Sequence, residues 1–240
     1  MVGRIVWNIG AGLVHRLLHK ASIRPGMGFA YPSVWRARPG FLDCDINLHL
    51  NNASYLFNME LARWHFCAVT GILGNVARHR RALLVASQAV RYRHPIPLFR
   101  PYEIRSQLVF ADNEWMYFLH QFQCPTTGKL YAEGMCRASC RQDGATVSAA
   151  KLYAEVFGGD AEALQALQTR DMPDVVKRLL EWDGAARVVL ETPAEAARRE
   201  RETTMRRKEG AGAGHALVEF ARVKRAESTA PNRIDDRVFV

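Results

Sequence analysis

Apolar and polar positions change period several times along the chain, and each change marks an element. In "MVGRIVWNIGAGLVHRLLHK", Val2, Ile5, Val6, Ile9, Leu13, Leu17 and Leu18 recur at roughly helical spacing, while Arg4, Asn8, His15, Arg16 and His19 take much of the other side. That spacing predicts a basic amphipathic helix. "SVWRARPG" at 33–40 is a short extended run ended by Pro39 and Gly40. After Asn51, the spacing of Tyr55, Leu56, Met59, Ala62, Trp64 and Phe66, with Gly71 as a stop, predicts a largely buried helix of about five turns. Four runs rich in aromatic and β-branched residues follow: "RALLVASQAVRYRHPI", "YEIRSQLVFA", "EWMYFLHQFQC" and "GKLYAEGMCRASC". The connections "PLFRP", "DN" and "PTTG" read as turns, so the four runs are expected to form an antiparallel meander.

One long apolar helix beside such a sheet is buried only if the sheet curls around it. The expectation is therefore an α+β hot-dog fold, an antiparallel sheet wrapped on a central helix, with N- and C-terminal helical extensions. A single sheet of this kind leaves its far face and an edge strand open, and pairing with a second copy is the expected remedy. Beyond residue 148 the period turns helical again in "AAKLYAEVFGGDAEALQALQTR" and "DMPDVVKRLLEWDG", and after Pro193 a charged helix-former run leads into a glycine-rich stretch. The domain reading is an extension at 1–32, the sheet-and-helix domain at 33–148, helices packed on or near it at 149–192, and a charged extension at 193–240. The chain shows no internal repeat.

Composition changes this picture in two places. The net charge of +9 is unevenly placed: residues 1–42 carry six Lys/Arg and no acid, 43–192 carry sixteen of each sign, and 193–240 carry eleven Lys/Arg against eight acids. A neutral central block argues against a nucleic-acid face on the domain itself. The basic first helix is too short and too interrupted by Arg4 and Arg16 for a comfortable membrane span. It has the look of a mitochondrial import segment, of a surface that touches a membrane through residues 2–19, or of a helix that packs on its own domain or on a partner. The five cysteines are odd in number and form no C-x-x-C pair, which reads as reduced thiols in an intracellular compartment and as no metal site.

The candidate chemistry lies in "FLDCDINLHLNNASYL" at 41–56. A helix start offers unpaired N–H groups and a positive dipole that polarise a carbonyl, and a carboxylate one loop earlier could attack that carbonyl or activate water toward it. Asp43 and Asp45 are the carboxylates at hand; either could instead satisfy loop amides. Asn51 or Asn52 could cap the helix, and a cap and an oxyanion site can share one turn. His49 has no partner at ligand spacing and reads as a structural histidine.

"DCDINLHLNNASYL" resembles the signature of acyl-CoA thioesterases of the hot-dog superfamily, an aspartate followed by a histidine, paired asparagines and a tyrosine at the start of the central helix. Within it, "LHLNNASYL", "RHRRALLVASQAVRYRHPIPLFRPYEIRSQLVF" and "DNEWMYFLHQF" are similar to the thioesterase superfamily member 6-like group, over residues 33–145. The resemblance implies that Asp45 is the catalytic carboxylate and that the backbone N–H of Asn52 polarises the thioester carbonyl. It implies a site between two subunits, no cofactor and no metal, and a more architectural role for His49, Asn51 and Tyr55. Many members carry glycine just before the signature histidine. Leu48 stands there in this chain, which narrows the room for pantetheine or acyl group if the loop faces the pocket. Some branches use a glutamate on the central helix, which makes Glu60 a second candidate; the alternative is an ion pair with Arg63.

Two functions follow as expectations. One is hydrolysis of an acyl-CoA or acyl-carrier-protein thioester by a homodimer or by a pair with another hot-dog subunit. The other is a catalytically weakened subunit held by its basic ends in a large mitochondrial assembly, an energy-converting membrane complex or a ribosome. The compartment expected is the mitochondrion, with the cytoplasm or an endomembrane surface as the alternative.

Overall fold

The computed structural model describes residues 2–20, 23, 26–157 and 171–190, with scattered positions from 192 to 204. The second half of the helix expected over 149–170, from residue 158 onward, and most of the charged tail lie outside the described residues. The chain divides into two compact units, Met1–Asp183 and Gly184–Val240.

The central helix α2 spans Asn52–Thr70. It starts where the Asn51 side chain accepts the Ser54 N–H at 3.0 Å, and it ends at Gly71, whose φ of 91° is the left-handed C-terminal conformation that a Cβ disfavours. Around it curls an antiparallel sheet of β1 (Ser33–Ala37), β2 (Ala82–Tyr92), β3 (Tyr102–Ala111), β4 (Met116–Gln123), β5 (Leu130–Gln142) and the short β6 (Ala145–Val147). Tyr55, Met59, Ala62 and Phe66 of α2 share one buried cluster with Ile104, Leu108, Phe122 and Cys136 of the sheet. Register breaks between Val85 and Ser87 and between Leu108 and Phe110 bend the strands and increase their twist. This is the hot-dog arrangement expected from the sequence.

Three expectations need correction. The strand order is β1-β3-β4-β5-β2, so only β3, β4 and β5 form a meander; β2 pairs with β5 at the opposite edge from β1. The nine residues 93–101 between β2 and β3 do not close a hairpin, because they bond elsewhere, as shown below. The far face of the sheet is not wholly open. Helix α5 (Asp174–Leu190) covers part of it, with Val176 and Leu179 packed on Phe110, Tyr117 and Met135. Arg137 locks that helix by donating to Asp183 at 2.6 Å while its guanidinium stacks 3.9 Å from the Trp115 ring. Finally, a helix α3 (Ile72–Arg78) that the sequence reading passed over follows Gly71 directly. Next to it, Arg81, almost wholly buried, makes a bidentate pair with Glu155 of α4 (Ala149–Phe157) and donates to Asn75 at 2.7 Å. Those donors pull the Glu155 carboxyl down to about 2.

The N-terminal helix α1 (Val2–His19) packs beside α2 mainly through its polar residues, with Ile5 packed against the core. Arg4 pairs with Asp43 and donates to Asn58, Trp35 donates to Asn8 at 2.7 Å, and Arg16 donates to the Val69 carbonyl at 2.9 Å. Contacts to Asn58, His65 and Val69 from successive turns of α1 show that the two helices run parallel. Gly12 permits the approach: a Cβ there would lie 2.7 Å from Cβ of Ala68 and 2.9 Å from the His65 carbonyl oxygen. No helix among the described residues is long and apolar enough to cross a membrane.

Candidate active site

The candidate loop, residues 43–50, is a narrow ribbon folded back on itself. Asn51 donates to the Asp43 carbonyl at 3.0 Å, Cys44 bridges Leu50, and Asp45 donates to the His49 carbonyl at 3.0 Å. At its tip Leu48 donates to the Asp45 carbonyl and takes φ 55°. That is the left-handed region, where an L residue pays a steric cost of about 1–2 kcal/mol and glycine pays none. Here is a physical reason for glycine in this position of the signature. The Leu48 side chain is more than half exposed and does not plug a cleft of its own chain.

The segment read from sequence as a turn holds this ribbon from the other side. Leu50 donates to Ile96 at 2.8 Å, Leu98 to Leu48 at 2.9 Å and Phe99 to Pro39 at 3.0 Å, with His49 bridging Pro97. In "HPIPLFRP" the prolines keep the backbone extended, and Ile96 between two of them is fully buried. That pattern was the available signal for a crossing strap rather than a hairpin.

The two aspartates have separate surroundings. Asp43 is buried, with one carboxylate oxygen on Arg4 of α1 and the other accepting the Gly40 N–H at 3.0 Å. Both oxygens are thus engaged in holding the loop to α1 and to its own backbone. Asp45 is partly exposed. Its Oδ1 accepts the Asn47 N–H at 2.9 Å, and its Oδ2 lies 3.4 Å from His49 Nδ1, close enough for an ion pair but without hydrogen-bond alignment. Asn51 is the cap of α2, which leaves Asn52 as the first helical residue. Its N–H has no carbonyl to bond within the helix, and the residue is exposed. Tyr92 of β2 donates to its carbonyl at 3.2 Å. Tyr55, one turn on, is buried edge-on against Tyr92 and beside Phe122, and burial pushes its phenol up to about 12. It acts as packing.

Glu60 belongs to a different neighbourhood. One oxygen pairs with Arg63 and the other accepts Trp64 Nε1 at 2.7 Å. It borders a cavity of about 70 Å³ whose wall is mostly apolar, with Phe66, Leu83, Phe118 and Leu152 among the lining residues and Asp45 absent from it. The two candidate carboxylates therefore do not face one common space. Sequence reading also passed over a buried polar pair: Ser106 Oγ and His120 Nδ1 are 2.8 Å apart inside the sheet. Burial, then the Arg63 charge, pulls His120 down to about 3. Without solvent access this is a structural pair and not a nucleophile with its base.

What such a loop and helix start belong to is decided by residues 39–180, which match the family model of the thioesterase-like superfamily. The chain belongs to that superfamily. The matched span takes in the ribbon, α2 and β2 to β5. The chain is similar to Protein THEM6 of Drosophila melanogaster, 36% identical over 40% of this chain and 50% of that one. It is also similar to Protein THEM6 of Danio rerio, 25% identical over 58% of this chain and 63% of that one. It thus spans about half to less than two thirds of the length of these curated relatives. Among solved structures it is similar to a 1,4-dihydroxy-2-naphthoyl-CoA thioesterase from Synechocystis, at 9% identity and TM-score 0.47, over 54% of this chain and 98% of that one. Thioesterase-like superfamily membership accords with the ribbon-and-helix geometry, in which the loop carboxylate and the helix start are held by the same backbone ladder.

Proposed function

We propose that this chain hydrolyses acyl-CoA or acyl-carrier-protein thioesters at the junction of the 43–50 ribbon and α2, as a homodimer or paired with another hot-dog subunit. The observation that carries the reading is the division of labour between the two aspartates. Asp43 is consumed by Arg4 and Gly40, whereas Asp45 keeps a partly exposed carboxylate at the ribbon tip, in a loop tied at its base to the start of α2. In the proposed step the Asp45 carboxylate attacks the thioester carbonyl carbon, or takes a proton from water that does so. When water attacks, the C–S bond breaks and the proton held by Asp45 passes to the leaving thiolate. When Asp45 attacks, C–S cleavage leaves a mixed anhydride that a water then hydrolyses. In both routes one water gives its OH to the acyl carbon and its other proton to the thiolate, and Asp45 is regenerated. The Asn52 N–H stabilises charge growing on the carbonyl oxygen. Exposed Phe41, Leu42, Ile46, Leu48 and Phe99 around the ribbon supply apolar surface for an acyl or pantetheine chain and for a second subunit.

The test compares wild type with Asp45→Asn on a panel of acyl-CoAs, reading released thiol, after circular dichroism has shown that both fold. The expected outcome is a rate loss of about 10²-fold or more. Equal rates would remove Asp45 from the mechanism.

A further inference from the structure

Helix α1 presents its apolar half to the outside. At about 100° per residue, Val2, Val6, Trp7, Leu13, Leu17 and Leu18 fall in one continuous half of the cylinder, where only glycine, alanine and valine fill the gaps and no polar side chain intervenes. Trp7 is 76% exposed and Leu17 80%. The other half is engaged with the domain through Arg4, Asn8 and Arg16, and Gly12 sets the close approach. Rolling the helix to hide its apolar half would break all of these contacts and bury a bulky face where Gly12 now fits. The exposure is therefore built into the way the helix docks.

We propose that this face lies flat on an anionic lipid bilayer, with the apolar half in the boundary between headgroups and acyl chains. The eighteen residues of the helix make a rod about 27 Å long, suited to lying in the surface plane. The surrounding sequence suits anionic headgroups: exposed Lys20 follows the helix directly, and residues 1–42 hold no acid that would repel them, although Arg4 and Arg16 face the domain and Arg36 pairs with Glu103. Trp7 is the residue type that interfaces favour, apolar in body and with one N–H for water or headgroup. A second copy laid on this face would bring two Lys20 side chains together with no acid of residues 1–42 between them, whereas acidic lipid offsets that charge. The assignment is independent of hydrolysis, so Asp45→Asn is expected to bind vesicles as the wild type does.

The experiment is co-sedimentation of the full chain with vesicles of phosphatidylcholine alone and of phosphatidylcholine with phosphatidylserine, for wild type and Leu17→Glu. Leu17 is exposed, so the variant is expected to keep its thermal midpoint, and Trp7→Glu provides a second probe of the same face. Expected are binding that favours the phosphatidylserine vesicles and a loss of about tenfold or more in affinity for each variant. Absence of binding to both vesicle types overturns the proposal, as does unchanged binding by both variants. Equal binding to the two vesicle types overturns the headgroup preference. A native mass that falls in the variants, with no vesicle binding by wild type, assigns the face to a second copy instead.

Discussion

Asn51 and Asn52 share one turn and divide its work. The Asn51 side chain caps α2, while the contribution assigned to Asn52 comes from its backbone N–H, which no side-chain truncation removes. Proline does remove it. Asn52 is the first helical residue, a position that accepts proline, and Asn51 has φ −73° and ψ 154°, the extended conformation that a residue before proline prefers. Asn52→Pro is therefore expected to keep the fold, checked by circular dichroism, and to lower kcat by about 10²-fold. Full activity in a folded variant excludes that amide as the carbonyl donor. The neighbouring aspartates show the limit of reading at this scale. Asp43 and Asp45 sit in near-identical sequence surroundings, yet Arg4, about forty residues earlier in the chain, engages only Asp43. Nothing local to "DCD" announces that choice.

Elements were legible wherever a period persisted. The spans of α1, α2 and β3 follow from the spacing of apolar residues, with Gly71 ending α2 as its position suggested. The side that an element turns inward was less legible. For α1 the usual rule, apolar face in, is reversed except at Ile5, because Arg4, Asn8 and Arg16 each find a buried or backbone partner on the domain. The α1–α2 contact also contains His65, whose ring meets that of His15 edge-on at 6.0 Å. Burial first, and the His15 charge second, lowers His65 from 6.5 to about 4. With the folded value below the unfolded one, His65 is neutral in both states at high pH. As pH falls below 6.5 the unfolded chain takes the proton first, so stability is lost between pH 6.5 and 4. The expected loss is on the order of 2 kcal/mol after allowing for partial solvent exposure. Urea unfolding at pH 7, 5.5 and 4.5 checks it; His65→Leu is expected to flatten that dependence, and an unchanged slope removes His65 as its cause.

At the scale of the whole molecule the β2 edge stands out. Among the described residues this eleven-residue strand pairs with β5 on one side only, and Leu84, Val85 and Tyr92 are exposed along it. A long unpaired edge with apolar side chains is a template for a second strand. In sedimentation equilibrium the chain is expected at twice its 27.1 kDa mass, and a single-chain mass at micromolar concentration rejects the dimer. The far face of the sheet was expected to need the same remedy, but α5 supplies part of the cover from within the chain. The sequence by itself determined the α+β class, the central helix with its cap and stop, most strand spans, and the stretch that forms the candidate loop. Those are consequences of local period and local backbone preference, which neighbouring residues suffice to set. Strand order, the strap from Ile96 to Phe99, the separation of Asp43 from Asp45 and the outward face of α1 were decided only by the tertiary structure. Each depends on which distant group satisfies a buried donor or acceptor, and that pairing exists only once the chain has closed around α2.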